Sequence, residues 1–178
     1  MTKNVKAVGF DLFNTLITLD STALGEAENR LMASLHAGGL TLAEDLFLDS
    51  HRKWARRFLD DTRKDGRETH NRFWIGAALA DAGHEIDPED PLIAAGVEAY
   101  FSSFIERCRV IPGTIDMLRG LSAKYRVGLL SNFTHGPAAR EILNITGLAA
   151  CFDTVIISGE IGYRKPHRMV FDRLVKEL

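Results

Sequence analysis

The sequence predicts an α/β fold, a parallel sheet covered by helices, interrupted early by a block of helices. Three observations carry this. A short apolar strand pattern, Val5 to Phe10, opens the chain and ends at Asp11. A long stretch of helical periodicity follows, from Ser21 to about Arg107. After Pro112-Gly113, strand and helix patterns alternate to the last residue, which is how parallel sheets are written.

In the helical stretch, Leu24, Ala27, Leu31 and Leu35 form one stripe, stopped by Gly38-Gly39. Thr41 and Glu44 have capping-box spacing and predict the start of a second helix bearing Leu42, Leu46, Trp54 and Phe58. Phe73, Trp74, Ala77, Ala78 and Leu79 predict a third, ending near Gly83. Asp87-Pro88 reads as the N-cap and first turn of a fourth, with Ile93, Val97, Tyr100, Phe101 and Phe104 on its stripe. The charged run from Asp60 to Arg67 reads as an exposed connection. Trp54 and Trp74 sit among apolar residues at helical spacing, so packing explains them better than ligand stacking.

Beyond Gly113, Ile115, Leu118 and Leu121 suit a helix, and Val127 to Leu130 a buried strand. Ile142 and Leu143 belong to a helix that stops by Gly147, and Val155 to Ile157 is another strand. Val170, Phe171, Leu174, Val175 and Leu178 mark a final helix. The economical architecture is a discontinuous core, residues 1–17 and 109–178, with residues 18–108 inserted as a helical domain. Only three strands are counted, a small sheet, so a partner strand is expected to be missing from this chain.

The composition, 178 residues with 46% hydrophobic and a formal charge of -2, allows a sizeable core. It gives no basic face for nucleic acid or a membrane surface. Met1-Thr2-Lys3-Asn4 runs into a short segment containing Lys6, without the apolar run of a signal peptide. Cys108 and Cys151 are far apart and form no metal or redox motif. A cytoplasmic protein in a reducing compartment is expected. The six histidines, His36, His51, His70, His84, His135 and His167, show no metal-ligand spacing.

An aspartate ending a strand is where α/β folds expose chemistry. A carboxylate such as Asp11 can attack an electrophilic carbon or phosphorus, although it can also cap a turn. Ser131 follows an apolar strand and could bind a substrate oxygen, but Ser-Asn is also ordinary turn chemistry. Lys165 taken alone is a solvated lysine before a helix opened by Pro166.

Taken together, Phe10-Asp11-Leu12-Phe13-Asn14-Thr15-Leu16, Leu130-Ser131-Asn132 and Lys165-Pro166 resemble the first three motifs of the haloacid dehalogenase-like hydrolase superfamily. The first of them is most similar to the 2-haloacid dehalogenase type. The resemblance implies a Rossmann-like core with an inserted cap. It makes Asp11 the nucleophile, Thr15 the hydroxyl that ties down its loop, Ser131 an oxygen-binding group and Lys165 the cation beside Asp11. Asn132 and Phe13 become substrate contacts. Arg30, in the first insert helix, becomes the candidate for the cationic group that a dehalogenase cap uses, from among the insert arginines.

Two departures matter. Family phosphatases carry a second aspartate two residues after the nucleophile, which protonates the leaving group; here that residue is Phe13. Halide leaves without a proton, so Phe13 favours dehalogenation, which needs no cofactor. A phosphatase would use magnesium, held by Asp11 and the Phe13 backbone carbonyl. The fourth motif, which supplies a further acidic residue, lies beyond the Lys-Pro helix and is expected to be absent from this chain. The expected partner is a small anionic substrate, with a homodimer left open. The alternatives are a magnesium-dependent phosphatase and a non-catalytic binding protein of the same fold.

Overall fold

A computed structural model describes residues 5–178; the first four residues of the N-terminal segment lie outside the described residues. Strand β1 (Ala7–Phe10) pairs in parallel with β4 (Arg126–Ser131), and β4 with β5 (Thr154–Ile157), giving the sheet order β1-β4-β5. The register sets Phe10 opposite Leu129 and Ser131 opposite Ile157. Asp11 and Ser131 therefore come to the same, carboxyl-terminal edge of the sheet, as expected of an α/β core.

A second pairing was not legible as strands. β2 (Ile17–Leu19) runs antiparallel to β3 (Cys108–Val110), and the chain leaves for the helical insert and returns from it through this ribbon. Each strand has only three residues, too few to display an alternation.

The insert holds α1 (Ala23–Ala37), α2 (Glu44–Asp65), α3 (Asn71–Asp81) and α4 (Pro91–Arg107). Three details differ from expectation. Ala43 is the N-cap of α2 and no side chain caps it, so the Thr41–Glu44 capping box does not form. The charged run is helical to Asp65, because Asp60–Arg63 and Asp61–Lys64 pair one turn apart along the surface. The fourth helix starts at Pro91, where Asp90 Oδ1 accepts from Leu92 N at 2.8 Å. Asp87 instead closes the preceding turn, accepting from Glu89 N at 2.8 Å. On α2 the buried face is Phe47, Leu48 and His51, while Leu46 is exposed. Leu24 of α1 is exposed as well, and Ala23 takes the inward position.

The remaining helices are α5 (Thr114–Ser122), α6 (Gly136–Ile145), the short α7 (Ser158–Ile161) and α8 (Arg168–Glu177). β4 shows why the sheet is covered on both faces. Val127 and Leu129 join the large core, while Leu130 joins a smaller cluster with Ile156, Val170 and Leu174 under α8. Gly9 and Gly128 let α8 approach that closely, since a Cβ on either would come 2.8 Å from Leu174. The large core is continuous: Leu12, Leu16 and Ile17 beside β1 share it with Leu31, Leu35, Ile93 and Phe101 of the insert. Trp74 is buried and Trp54 half-buried within the insert. No described helix is long and apolar enough to cross a membrane.

Candidate active site

The turn after β1 is built to present Asp11. Leu12 and Leu16 are buried anchors, and the Leu12 carbonyl accepts from Thr15 N, Leu16 N and Ile17 N at 3.3, 2.9 and 3.1 Å. Asn14 takes a left-handed conformation with φ 59, which asparagine tolerates better than most residues. The Asp11 side chain is left 46% exposed.

Lys165 reaches across from the segment before α8. Its Nζ lies 2.6 Å from Asp11 Oδ1 and donates also to the Leu130 carbonyl at 2.7 Å. Asn132 fixes the backbone beneath it: Lys165 N donates to Asn132 Oδ1 at 2.8 Å, and Asn132 Nδ2 donates to the Lys165 carbonyl at 3.1 Å. Both ends of the Asn132 amide are thus occupied by protein. That makes Asn132 a clamp on Lys165, where a substrate contact was expected. Ser131 ends β4 with its hydroxyl buried and without a hydrogen-bond partner among the described residues. A buried hydroxyl left so is costly, and this one lies one residue beyond the Leu130 carbonyl that holds Lys165.

Three expected site residues stand apart. Thr15 is exposed, and its hydroxyl makes no hydrogen bond among the described residues; the Leu12 carbonyl holds the turn instead. Phe13 stacks its ring on Phe133, with centroids 5.1 Å apart and planes at 8°. Arg30 is spent elsewhere. Its guanidinium forms paired bonds to Glu106 at 2.9 and 2.6 Å, with further bonds to Glu26 and Ser102. Those partners hold it on the α1–α4 surface with its charge already matched.

The pocket beside Lys165, of about 300 Å³, is lined by Leu59, Thr62 and Arg63 of α2 and by Asn132, Arg164, Lys165 and Pro166. Its charged lining is wholly cationic. Arg63 and Arg164 were visible in the sequence only as two arginines among many, because their meeting depends on how α2 lies against the core.

Behind the site, an aromatic layer joins insert to core. Phe133 packs against Phe101 and Phe104 of α4, and His135 stacks on Phe101 with centroids 4.8 Å apart. His70 Nδ1 accepts from Arg72 N, so its Nε2 carries the proton and donates to His135 Nδ1 at 3.1 Å. His135 Nε2 lies 3.1 Å from Glu98 Oε1 but is not aligned for a hydrogen bond. Burial, then the neighbouring His135 and Arg72, pushes His70 down to about 4. His135 is lowered by burial against the opposing pull of Glu98.

For a divalent metal, the described residues offer the second Asp11 carboxylate oxygen and the Phe13 carbonyl. No group of three His, Cys, Asp or Glu comes together among them. Magnesium usually keeps several waters and takes only one or two carboxylates from a protein, so these two oxygens would fill part of its shell.

The family model of haloacid dehalogenase-like hydrolases matches residues 5–178. Over 82 residues, 45% of this chain and 35% of the relative, the sequence is 29% identical to the pyrimidine 5'-nucleotidase YjjG of Escherichia coli. It is 29% identical over 183 residues to the glyceraldehyde 3-phosphate phosphatase of Methanopyrus kandleri, covering 98% of this chain and 70% of that protein. The fold superposes on the 2-haloacid dehalogenase of Pseudomonas syringae pv. Tomato with a TM-score of 0.70 at 22% identity, over 98% of this chain and 73% of the other. With the motif order, the strand-end geometry and a family match along nearly its whole length, the chain belongs to the haloacid dehalogenase-like hydrolases.

Proposed function

We propose that this chain carries the nucleophile and the charge-stabilising half of a hydrolase that works through a covalent aspartyl intermediate on a small anionic substrate. The observation that carries the reading is the 2.6 Å contact of Lys165 Nζ with Asp11 Oδ1 at the carboxyl edge of the sheet. The insert, residues 18–108, acts as the cap. Its Arg63 lines the adjoining pocket with Arg164 and Lys165, each of the three cations also paired with a carboxylate, of Asp60, Glu68 and Asp11 in turn.

With a 2-haloacid, a carboxylate oxygen of Asp11 attacks the carbon bearing the halogen. The new C–O bond forms as the C–halogen bond breaks, and the halide leaves with the bonding pair. Lys165 offsets negative charge at the reacting carboxylate, and the buried Ser131 hydroxyl is held in reserve for a substrate oxygen. Water then attacks the Asp11 carboxyl carbon of the ester, and the substrate's C–O bond to it breaks at that carbon. This restores the carboxylate and releases the 2-hydroxy acid and a proton. Phe13 supports this chemistry over phosphate-monoester hydrolysis, because an aromatic ring stacked on Phe133 can neither protonate an alkoxide nor activate water.

The phosphatase relatives motivate a second reading, a magnesium-dependent phosphatase. The discriminating experiment offers the protein 2-chloropropionate and a panel of phosphomonoesters, with and without a chelator. Halide release indifferent to the chelator supports the first reading. Phosphate release that needs magnesium and is lost in Asp11→Asn replaces it with the second. Ligand binding without turnover of either kind would make the chain a binding protein.

A further inference from the structure

Glu68 lies in the turn between α2 and α3 with 2% of its side chain exposed. A buried carboxylate is costly unless it is paired and hydrogen-bonded; beside the local Thr69 N, which donates to Oε1 at 3.2 Å, its two side-chain partners come from the core. Arg164 Nη1 donates to Glu68 Oε1 at 3.2 Å, and Ser158 Oγ donates to Glu68 Oε2 at 2.5 Å. Ser158 Oγ in turn accepts from Phe133 N at 2.8 Å. The backbone repeats the tie, since Glu68 N donates to the Gly162 carbonyl and Arg164 N to the Gly66 carbonyl, each at 2.9 Å.

The places this carboxylate reaches are specific. Arg164 immediately precedes Lys165, and Phe133 immediately follows Asn132. Asn132 and Lys165 are the pair that clamp each other under the Asp11 contact. One acidic side chain of the insert therefore braces both neighbours of that clamp, one through Arg164 and the other through Ser158. An anchor needed only to hold the insert down has no reason to grip these two positions.

We propose that Glu68 is a positioning residue: docking of the α2–α3 turn, through Glu68, sets the Lys165 ammonium on Asp11. This rests on the reading of Asp11 and Lys165 as the reacting pair. It makes the insert part of the scaffold of the site as well as its cover.

The test compares the full chain with Glu68→Gln and Arg164→Gln by NMR. Two signals are followed: amide hydrogen exchange at Phe133, Arg164 and Lys165, and the Lys165 ammonium resonance, which its contacts to Asp11 and Leu130 protect. The expected result in each variant is at least about tenfold faster exchange at the three amides and loss of the ammonium signal, with the β4 amides unchanged. The double variant should be no worse than either single one. Unchanged protection with a persistent ammonium signal overturns the proposal. So does loss of protection across β4 in both variants, which would make Glu68 a holder of the fold. None of these signals requires turnover, so an inactive wild-type protein contradicts the functional reading and still leaves this one decidable. With a substrate that turns over, Glu68→Gln should lower kcat about tenfold and leave KM nearly unchanged.

Discussion

Lys165 is the residue whose replacement separates charge from packing. Its ammonium touches Asp11 and the Leu130 carbonyl, and its backbone is held by Asn132 independently of the side chain. Lys165→Met keeps the aliphatic stem and removes the cation. Turnover should fall about 10²- to 10³-fold, as when one stabilising donor is taken from a developing charge, while the thermal midpoint stays near wild type. A comparable drop in both would make Lys165 a structural residue. At this scale the motifs were legible because strand-end chemistry is local: Asp11, Ser131 and Lys165 stand where the sequence placed them. Asn132, Phe13 and Arg30 were harder, because each found a partner distant in sequence that no local pattern announces. For Asn132 it is the Lys165 backbone, for Phe13 the ring of Phe133, and for Arg30 the carboxylate of Glu106.

Among the elements, α2 shows how far periodicity carries and where it stops. Its charged end reads as a loop by composition, yet pairs between acidic and basic residues one turn apart keep it helical. It stops at Gly66, which is left-handed with φ 72 and donates its N–H to the Thr62 carbonyl at 2.8 Å. A Cβ there would lie 2.6 Å from the Cβ of His167, next to the Lys-Pro segment. Gly66→Ala should therefore cost about 1–3 kcal/mol in a denaturant titration, the strain and the clash acting together. A loss within a few tenths of a kcal/mol would show that the turn can shift freely against the core. The ribbon of β2 and β3 was hidden from the sequence by its brevity, and the start of α4 was misplaced because Asp-Pro occurs twice within five residues, at Asp87 and Asp90. Only the second aspartate caps a helix.

Across the whole molecule, the insert and the sheet share one apolar core, and buried histidines tie its stability to pH. Burial lowers His51 and His70 to about 4, and His135 in the same direction. Unfolding returns each to about 6.5, so the unfolded chain binds protons first as pH falls. Stability should be fully present above about 6.5 and decline from there toward about 4. Urea midpoints between pH 7 and pH 4.5 would register this, and His70→Gln should flatten the slope. A flat wild-type profile would mean that these rings are solvated on the native side. The fold class was readable at this scale because alternating strands and helices leave few architectures open, whereas the cationic pocket emerges only once α2 is laid beside Lys165. The central claim is that Asp11 forms the covalent bond, and rapid acid quench after mixing the protein with 2-chloropropionate tests it most directly. Peptide mapping should find the substrate's carbon skeleton, without its halide, attached as a 1-carboxyethyl ester on the peptide containing Asp11, and no adduct in Asp11→Asn. Halide release without any adduct on that peptide, undiminished in Asp11→Asn, would contradict it.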